Sequence, residues 1–300
     1  MKILCVCLST TIQRTVIFEK LSLEKVNRST GYIEHASGKA INSARVLNQL
    51  EKNCAQIVCP IGKTNEKYFL DLAKKDDLTL DFVETDGNTR QCWTLLDKSQ
   101  KTTTELVVSE TSSFDYNKAE LKILKIINDL IPFYDAVLLS GSRPKGFSPD
   151  LYSLIAKITR DNKKLFLADY ICEDLINTIE TAVPDFIKIN DEEFFKTFNA
   201  SKTMDEEELK NAVTQKSVSL HNMIIVTRGE KSTYAANNGS FYECPVQKVE
   251  PVNTTACGDS FNAGFLYEYL KTGDFYKALE KGTWCAAKNA ESEIPGSIYQ

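Results

Sequence analysis

The nine cysteines include no CxxC pair, no GxGxxG occurs, and the only histidines are His35 and His221. Zinc ribbons and thioredoxin-like redox centres need the paired-cysteine spacing, so neither is supported. A metalloprotease helix of the HExxH kind needs two histidines four residues apart and is excluded. The usual dinucleotide fingerprint is missing as well. No apolar run approaches the ~18 residues needed to span a membrane. Positive charge is in deficit: 36 Lys and Arg stand against 41 Asp and Glu, a net charge of -5. A broad basic footprint is therefore absent, which argues against nucleic acid as the main partner. Met1 and Lys2 ahead of residues 3–8 imitate a short signal peptide, but no small-residue cleavage pattern follows and polar residues resume at Ser9. The expectation is a buried first strand in a soluble, cytoplasmic protein whose cysteines are reduced and packed as small hydrophobes.

Hydrophobic residues make up 42% of the 300 and charged residues 26%, which rules out a disordered or fibrous chain and suffices for one large core. Short apolar runs at 3–8, 55–60, 136–140, 164–168, 186–189 and 223–227 read as buried strands. Helix-periodic segments at 41–50, 118–130, 151–158, 206–213 and 262–270 lie between or after them. This alternation predicts a mostly parallel sheet with helices on both faces. Residues 15–33 and 91–108 break the rule with β-branched and polar alternation. They predict strands of a small second sheet, inserted at about 13–35 and 88–110 of a single domain spanning 1–300.

Four segments carry candidate chemistry. Residues 252–261 place Ala256, Cys257 and Gly258 ahead of an apolar-periodic helix. Small residues at a helix N-terminus leave backbone N–H groups accessible in a positive potential, an anion site by construction. Asp259 there would repel a phosphate, and makes sense where a hydroxyl must lose a proton beside a phosphoryl group. The alternative is an ordinary capped helix with Asp in its first turn. The second segment, 35–42, again opens a helix and holds Gly38, Lys39 and Asn42; the alternative is a loop with a solvent lysine. The third, 140–146, has two glycines five apart with no following Lys-Ser/Thr, so it is no P-loop. The fourth, 190–193, follows a strand end, where Asn190 and Glu193 suit either Mg²⁺ held through water or simple helix capping.

Taken together these segments resemble the PfkB carbohydrate kinase family, also called ribokinase-like. Residues 253–259 read NTTACGD against the family's D/N-T/S-x-G-A-G-D, and 37–42 read SGKAIN against GGKGxN. Asn190 and Glu193 match its NxxE magnesium motif, and Thr227-Arg228-Gly229 resembles its TLG element. SGSRPKGF at 140–147 resembles the SGSLPPG stretch of the sugar-phosphate branch, which includes 1-phosphofructokinase and tagatose-6-phosphate kinase. The resemblance covers about residues 1–290.

The resemblance implies a three-layer α/β/α fold with a mostly parallel central sheet and a small β lid. It implies transfer of the ATP γ-phosphoryl to a sugar-phosphate hydroxyl, with Asp259 as base and the N–H groups of Ala256, Cys257 and Gly258 as the anion hole. Asn190 and Glu193 would organise Mg²⁺ through water; Thr227, Gly229 and Asn289 would border ATP. Gln13, Gly38, Lys39, Asn42 and Arg90 would form the sugar side, with Arg90 on the substrate phosphate and Arg143 adding positive charge. A homodimer through the lid is a further implication. Departures are visible: Gln13 stands near where the branch carries a sugar-binding Asp, and Ala40 and Ala256 replace glycines. Two alternatives follow, a kinase of the same fold acting on an unphosphorylated sugar or nucleoside, and a non-catalytic sugar or nucleotide sensor.

Overall fold

The computed structural model describes residues 1–108 and 116–299. The chain opens with β1 (Ile3–Val6), then β2 (Thr11–Phe18) and β3 (Gly31–Ser37), α1 (Lys39–Leu50), β4 (Ala55–Gly62), α2 (Glu66–Lys75) and β5 (Leu80–Thr85). It continues through β6 (Arg90–Asp97), β7 (Thr102–Val107), α3 (Asn117–Leu130), β8 (Ala136–Ser140), α4 (Leu151–Asp161), β9 (Leu165–Asp169) and α5 (Cys172–Thr181). The last third holds β10 (Phe186–Asn190), α6 (Asp191–Thr197), α7 (Glu206–Leu220), β11 (Met223–Arg228), β12 (Lys231–Asn237), β13 (Ser240–Cys244), α8 (Cys257–Thr272) and α9 (Phe275–Ala290).

Among the described residues the strands form a nine-stranded sheet, ordered β13-β12-β11-β10-β9-β8-β1-β4-β5, and a four-stranded sheet, β3-β2-β6-β7. From β11 to β5 the large sheet is parallel; β12 and β13 close it antiparallel. Alternate residues of β1 serve opposite layers, as the period-2 geometry of a strand requires. Ile3 and Cys5 join a core with α1, α2, α8 and α9, while Leu4 and Val6 join a core with α3 to α7. The expected three-layer arrangement is therefore found.

The strands of the small sheet lie between Thr11 and Ser37 and between Arg90 and Val107; residues 109 and 110 of the expected second insertion lie outside the described residues. α8 begins at Cys257 rather than at 262 because Ala256, in a left-handed conformation with φ 67°, caps it. No described helix is long and apolar enough to cross a membrane. Seven cysteines are buried as expected, but Cys172 and Cys257 are only partly covered.

The sheet order places the site. β1 pairs with β4 on one side and with β8 on the other, so successive connections depart in opposite directions. Such a reversal leaves a crevice at the carboxyl ends of the strands. Ser140 ends β8 directly opposite Asp169 at the end of β9, and Asn190 ends β10 opposite Thr227 near the end of β11.

Candidate active site

A cleft of about 590 Å³ lies over these strand ends, roofed by the lid. Thr11, Gln13, Arg90, Cys92, Glu105 and Val107 line it from the lid; Gly38, Lys39 and Asn42 from the start of α1. Lys188, Asn190, Glu193, Thr227 and Gly229 line it from the sheet, and residues 254–259 from the start of α8. The lid touches the α8 loop directly: Thr255 Oγ1 donates to Glu105 Oε1 at 2.8 Å.

Asp259 sits in the first turn of α8, buried. Its Oδ2 accepts a hydrogen bond from Asn42 Nδ2 at 2.9 Å. Its own carbonyl accepts from Ser43 Oγ at 2.8 Å, which ties α8 to α1. Burial pushes the carboxyl up to about 6, against the pull of Lys39 and with the help of Asp169; Asn42 and Lys188 also favour the anion. A carboxylate held near 6 is well placed to take a proton at neutral pH.

Gly38 opens α1 at φ 140°, and a Cβ there would stand 2.5 Å from Cys7 Sγ, so the glycine is sterically required. It delivers Lys39 into the cleft, where Nζ lies 4.0 Å from Asp169 Oδ1 and 3.9 Å from Glu193 Oε1. Asp169 foremost, opposed by burial and aided by Asp259 and Glu193, raises the Lys39 pKa and keeps it protonated.

Asp169 and Lys188 were not anticipated. Lys188 Nζ lies 3.7 Å from Asp169 Oδ1, both buried. Asp169 Oδ2 accepts from Ser140 Oγ at 2.8 Å and Asn262 Nδ2 at 2.7 Å. Burial alone would raise the Asp169 carboxyl, but Lys188, Lys39 and these two donors together bring it below its ordinary value. A Cβ on Gly258 would meet Lys188 Nζ at 2.7 Å, so this glycine lets an ammonium reach the start of α8. The signals were present: a lysine inside the apolar run 186–189 and an aspartate closing another such run.

The expected anion hole is only partly free. The Cys257 N–H donates to Thr254 O at 3.3 Å, a long turn bond. Burial pushes the Cys257 thiol up to about 11, so the helix terminus does not activate it, and it packs as a small residue.

Two expected contacts are corrected. Asn289 does not border the cleft: it is fully buried, its Oδ1 accepting from Ser260 Oγ and Gly296 N and its Nδ2 donating to Thr255 O. It braces the α8 loop from beneath. Arg143 adds no charge to the cleft, because its Nε donates to Asp174 Oδ1 at 2.8 Å and its Nη1 to Phe147 O at 2.7 Å. Gln13 lines the cleft with its Nε2 donated to Thr94 Oγ1 at 2.8 Å, which leaves Oε1 to accept from a hydroxyl, as an aspartate would.

Asn190 and Glu193 form a capping box on α6: Glu193 N donates to Asn190 Oδ1 at 2.8 Å and Asn190 N to Glu193 Oε2 at 2.9 Å. The capping alternative is thus realised, and Glu193 Oε1 still points to Lys39 in the cleft. Among the described residues no three His, Cys, Asp or Glu side chains gather as a metal cage. A hydrated Mg²⁺, which keeps most of its waters and uses one or two protein groups beside substrate phosphates, fits such a site.

The family model for pfkB carbohydrate kinases matches residues 2–297. A tagatose-6-phosphate kinase of Staphylococcus epidermidis is 27% identical over 300 residues, covering 99% of this chain and 94% of that protein. Phosphofructokinase-2 from Escherichia coli in complex with substrates and products superposes with a TM-score of 0.88 at 15% identity, over 97% and 93% of the two chains. Ribokinase from Thermotoga maritima gives 0.74 at 17% identity, over 100% and 96%. The two structural likenesses show the fold, and the family match supplies the assignment that the strand-end cleft invites: the chain belongs to the pfkB family of carbohydrate kinases.

Proposed function

We propose that the protein transfers the γ-phosphoryl group of ATP to a hydroxyl of a sugar phosphate, with Asp259 as the base. The observation that carries this reading is a buried carboxylate at the start of α8, facing a lidded cleft and flanked by Lys39 and Lys188. The hydroxyl proton passes to Asp259, the hydroxyl oxygen bonds to the γ-phosphorus, and the β–γ bridging oxygen leaves with ADP. Such a transfer has a loose transition state, so positioning and charge stabilisation supply most of the catalysis. Lys39, Lys188 and the backbone N–H groups of Ala256 and Gly258 would meet the phosphoryl charge. Thr227 and Gly229 would line the ATP phosphates. Asn190 and Glu193 would hold Mg²⁺ through water, and the ion would neutralise phosphate charge when bound.

On the sugar side Gln13 Oε1 would accept from a substrate hydroxyl, and Arg90, at the lid edge of the cleft, would take the substrate phosphate. The relative named as a tagatose-6-phosphate kinase supports a phosphorylated acceptor. Pairing of two copies through the lid is part of the same proposal. ATP turnover across matched sugars and sugar phosphates tests it. We expect turnover of phosphorylated hexoses; preference for free sugars or nucleosides would move the assignment within the family, and no turnover of any acceptor would favour a sensor.

A further inference from the structure

Asn42 donates to Asp259 only because its carboxamide is turned one way. The flipped amide, equal in size, would set Oδ1 against Asp259 Oδ2, one acceptor facing another. What holds the orientation is on the far side of the amide. Asn42 Oδ1 accepts from Ser37 Oγ at 2.8 Å and from Arg45 Nη1 at 3.0 Å. A serine hydroxyl can rotate and accept from a flipped amide, so Ser37 alone leaves both orientations possible. A guanidinium has donors only and cannot accept from a flipped Nδ2.

Arg45 is itself fixed. It follows Asn42 by three residues on the same face of α1 and is buried. Its Nε and Nη2 meet Asp76 Oδ2, each at 3.0 Å, where α2 ends. Its Nη1 also donates to Pro295 O at 3.1 Å, and its Nη2 to Ala36 O. Asp76 is held in turn by His35 Nδ1 at 3.1 Å. So many fixed partners leave the guanidinium one geometry, and that geometry presents a donor to Asn42.

We infer that Arg45 is a positioning residue for phosphoryl transfer: it sets the polarity of the Asn42 carboxamide, and thereby gives the Asp259 carboxylate its hydrogen-bond donor. It does not line the cleft. The inference rests on the proposed role of Asp259 as base, and the experiment separates the two.

Arg45 also favours the Asp259 anion directly through its charge, a contribution that Arg45→Lys retains; the other groups facing Asp259 are Lys39 of α1, Asp169 of β9, Lys188 of β10, Cys7 beyond β1 and Cys257 of α8. All stay unchanged in the variants. The test is the pH profile of kcat/KM for Arg45→Met, Arg45→Lys and Asp259→Asn beside the wild type. Losing a donor to the charged form raises the pKa of an acid. Arg45→Met should move the acid limb up by about one unit, lower kcat about tenfold and leave KM for ATP within about twofold. Arg45→Lys, donor-only and still charged, should recover part of both changes. A purely structural role would lower the melting temperature and the active fraction without moving the limb. If Arg45→Met does not fold, Arg45→Met with Asp76→Leu removes the stranded carboxylate and is read in the same way. A folded variant with the wild-type limb overturns the inference, provided Asp259→Asn is inactive. An Asp259→Asn enzyme of near-normal kcat would instead overturn the base assignment, and this inference with it.

Discussion

At the residue scale, the same burial that raises Asp259, the proposed base, towards neutral pH weakens the fold. Its carboxyl is raised from 3.8 to about 6, so between those values the folded protein binds more protons than the unfolded chain. Stability contributed by the protonated form is therefore fully present below the unfolded value and is lost as the pH rises through about 6. The ionised group then costs on the order of 2–3 kcal/mol. Asp259→Asn should lower kcat by roughly 10²–10⁴-fold. It should also raise the melting temperature at pH 8 relative to wild type, with the gain shrinking towards pH 4. Rate and stability moving the same way would contradict this assignment. Ala256 is the second residue under tension, since a Cβ at φ 67° is disfavoured. Ala256→Gly should raise the denaturant midpoint by the equivalent of about 0.5–1 kcal/mol. Asp259 was legible because a carboxylate beside small residues at a helix start is chemically odd. Asp169 and Lys188 were legible only as lone charges in apolar runs, and their meeting depends on β9 and β10 being neighbours, which no local pattern states.

At the scale of elements, six parallel strands were legible because both faces are buried, giving continuous apolar runs such as those of β1 and β8; the parallel edge strand β5, only partly buried, was not. The antiparallel β12 and β13 carry mixed patterns and were missed, as were α2 and α5. α6 was legible only as a capping alternative at 190–193: it has seven residues, too few to display a period, and its start is defined by one capping box. That box gives Glu193 a structural duty, which is separable from its proposed role at Mg²⁺. A glutamine retains an oxygen to accept from Asn190 N, so Glu193→Gln should fold with near-normal stability. A neutral amide holds a hydrated divalent ion less well, so the Mg²⁺ concentration for half-maximal rate should rise. An unchanged magnesium titration would leave Glu193 with the cap alone. On the lid, Arg90 begins β6 opposite Thr11 of β2. A charged hydrogen bond of ~1.5–3 kcal/mol corresponds to a loss of roughly 10–100-fold in kcat/KM on Arg90→Ala with a sugar phosphate. Activity on the matching free sugar should be almost untouched. Equal losses on both would make Arg90 a structural part of the lid.

At the scale of the whole molecule, the lid is unevenly finished. Its inner residues, Gln13, Thr15, Cys92 and Thr94, are buried, yet among the described residues β7 is an edge strand whose Leu106, outside the cleft lining, is 47% exposed. Tyr32 on β3, the other edge, is 62% exposed. A lone soluble sheet ordinarily protects its edges with charge, proline or a covering element, because free N–H and C=O groups template pairing with another chain. Exposed apolar side chains on both edges of one small sheet are what a second copy of the same surface would cover, and a two-fold axis would supply that copy with no new sequence. The lid also reaches the loop before α8 through the Glu105–Thr255 hydrogen bond. Steadying the lid by pairing should therefore help hold that loop and the sugar side together. Leu106→Lys places a charge on the edge without entering the cleft, which Leu106 does not line. Sedimentation velocity at micromolar concentration should show a dimer for the wild type and a monomer for the variant. KM for the sugar should rise in the monomer while the melting temperature of the large domain stays close to wild type. A wild-type protein that sediments as a monomer across this range would leave the lid edges without a partner of their own kind.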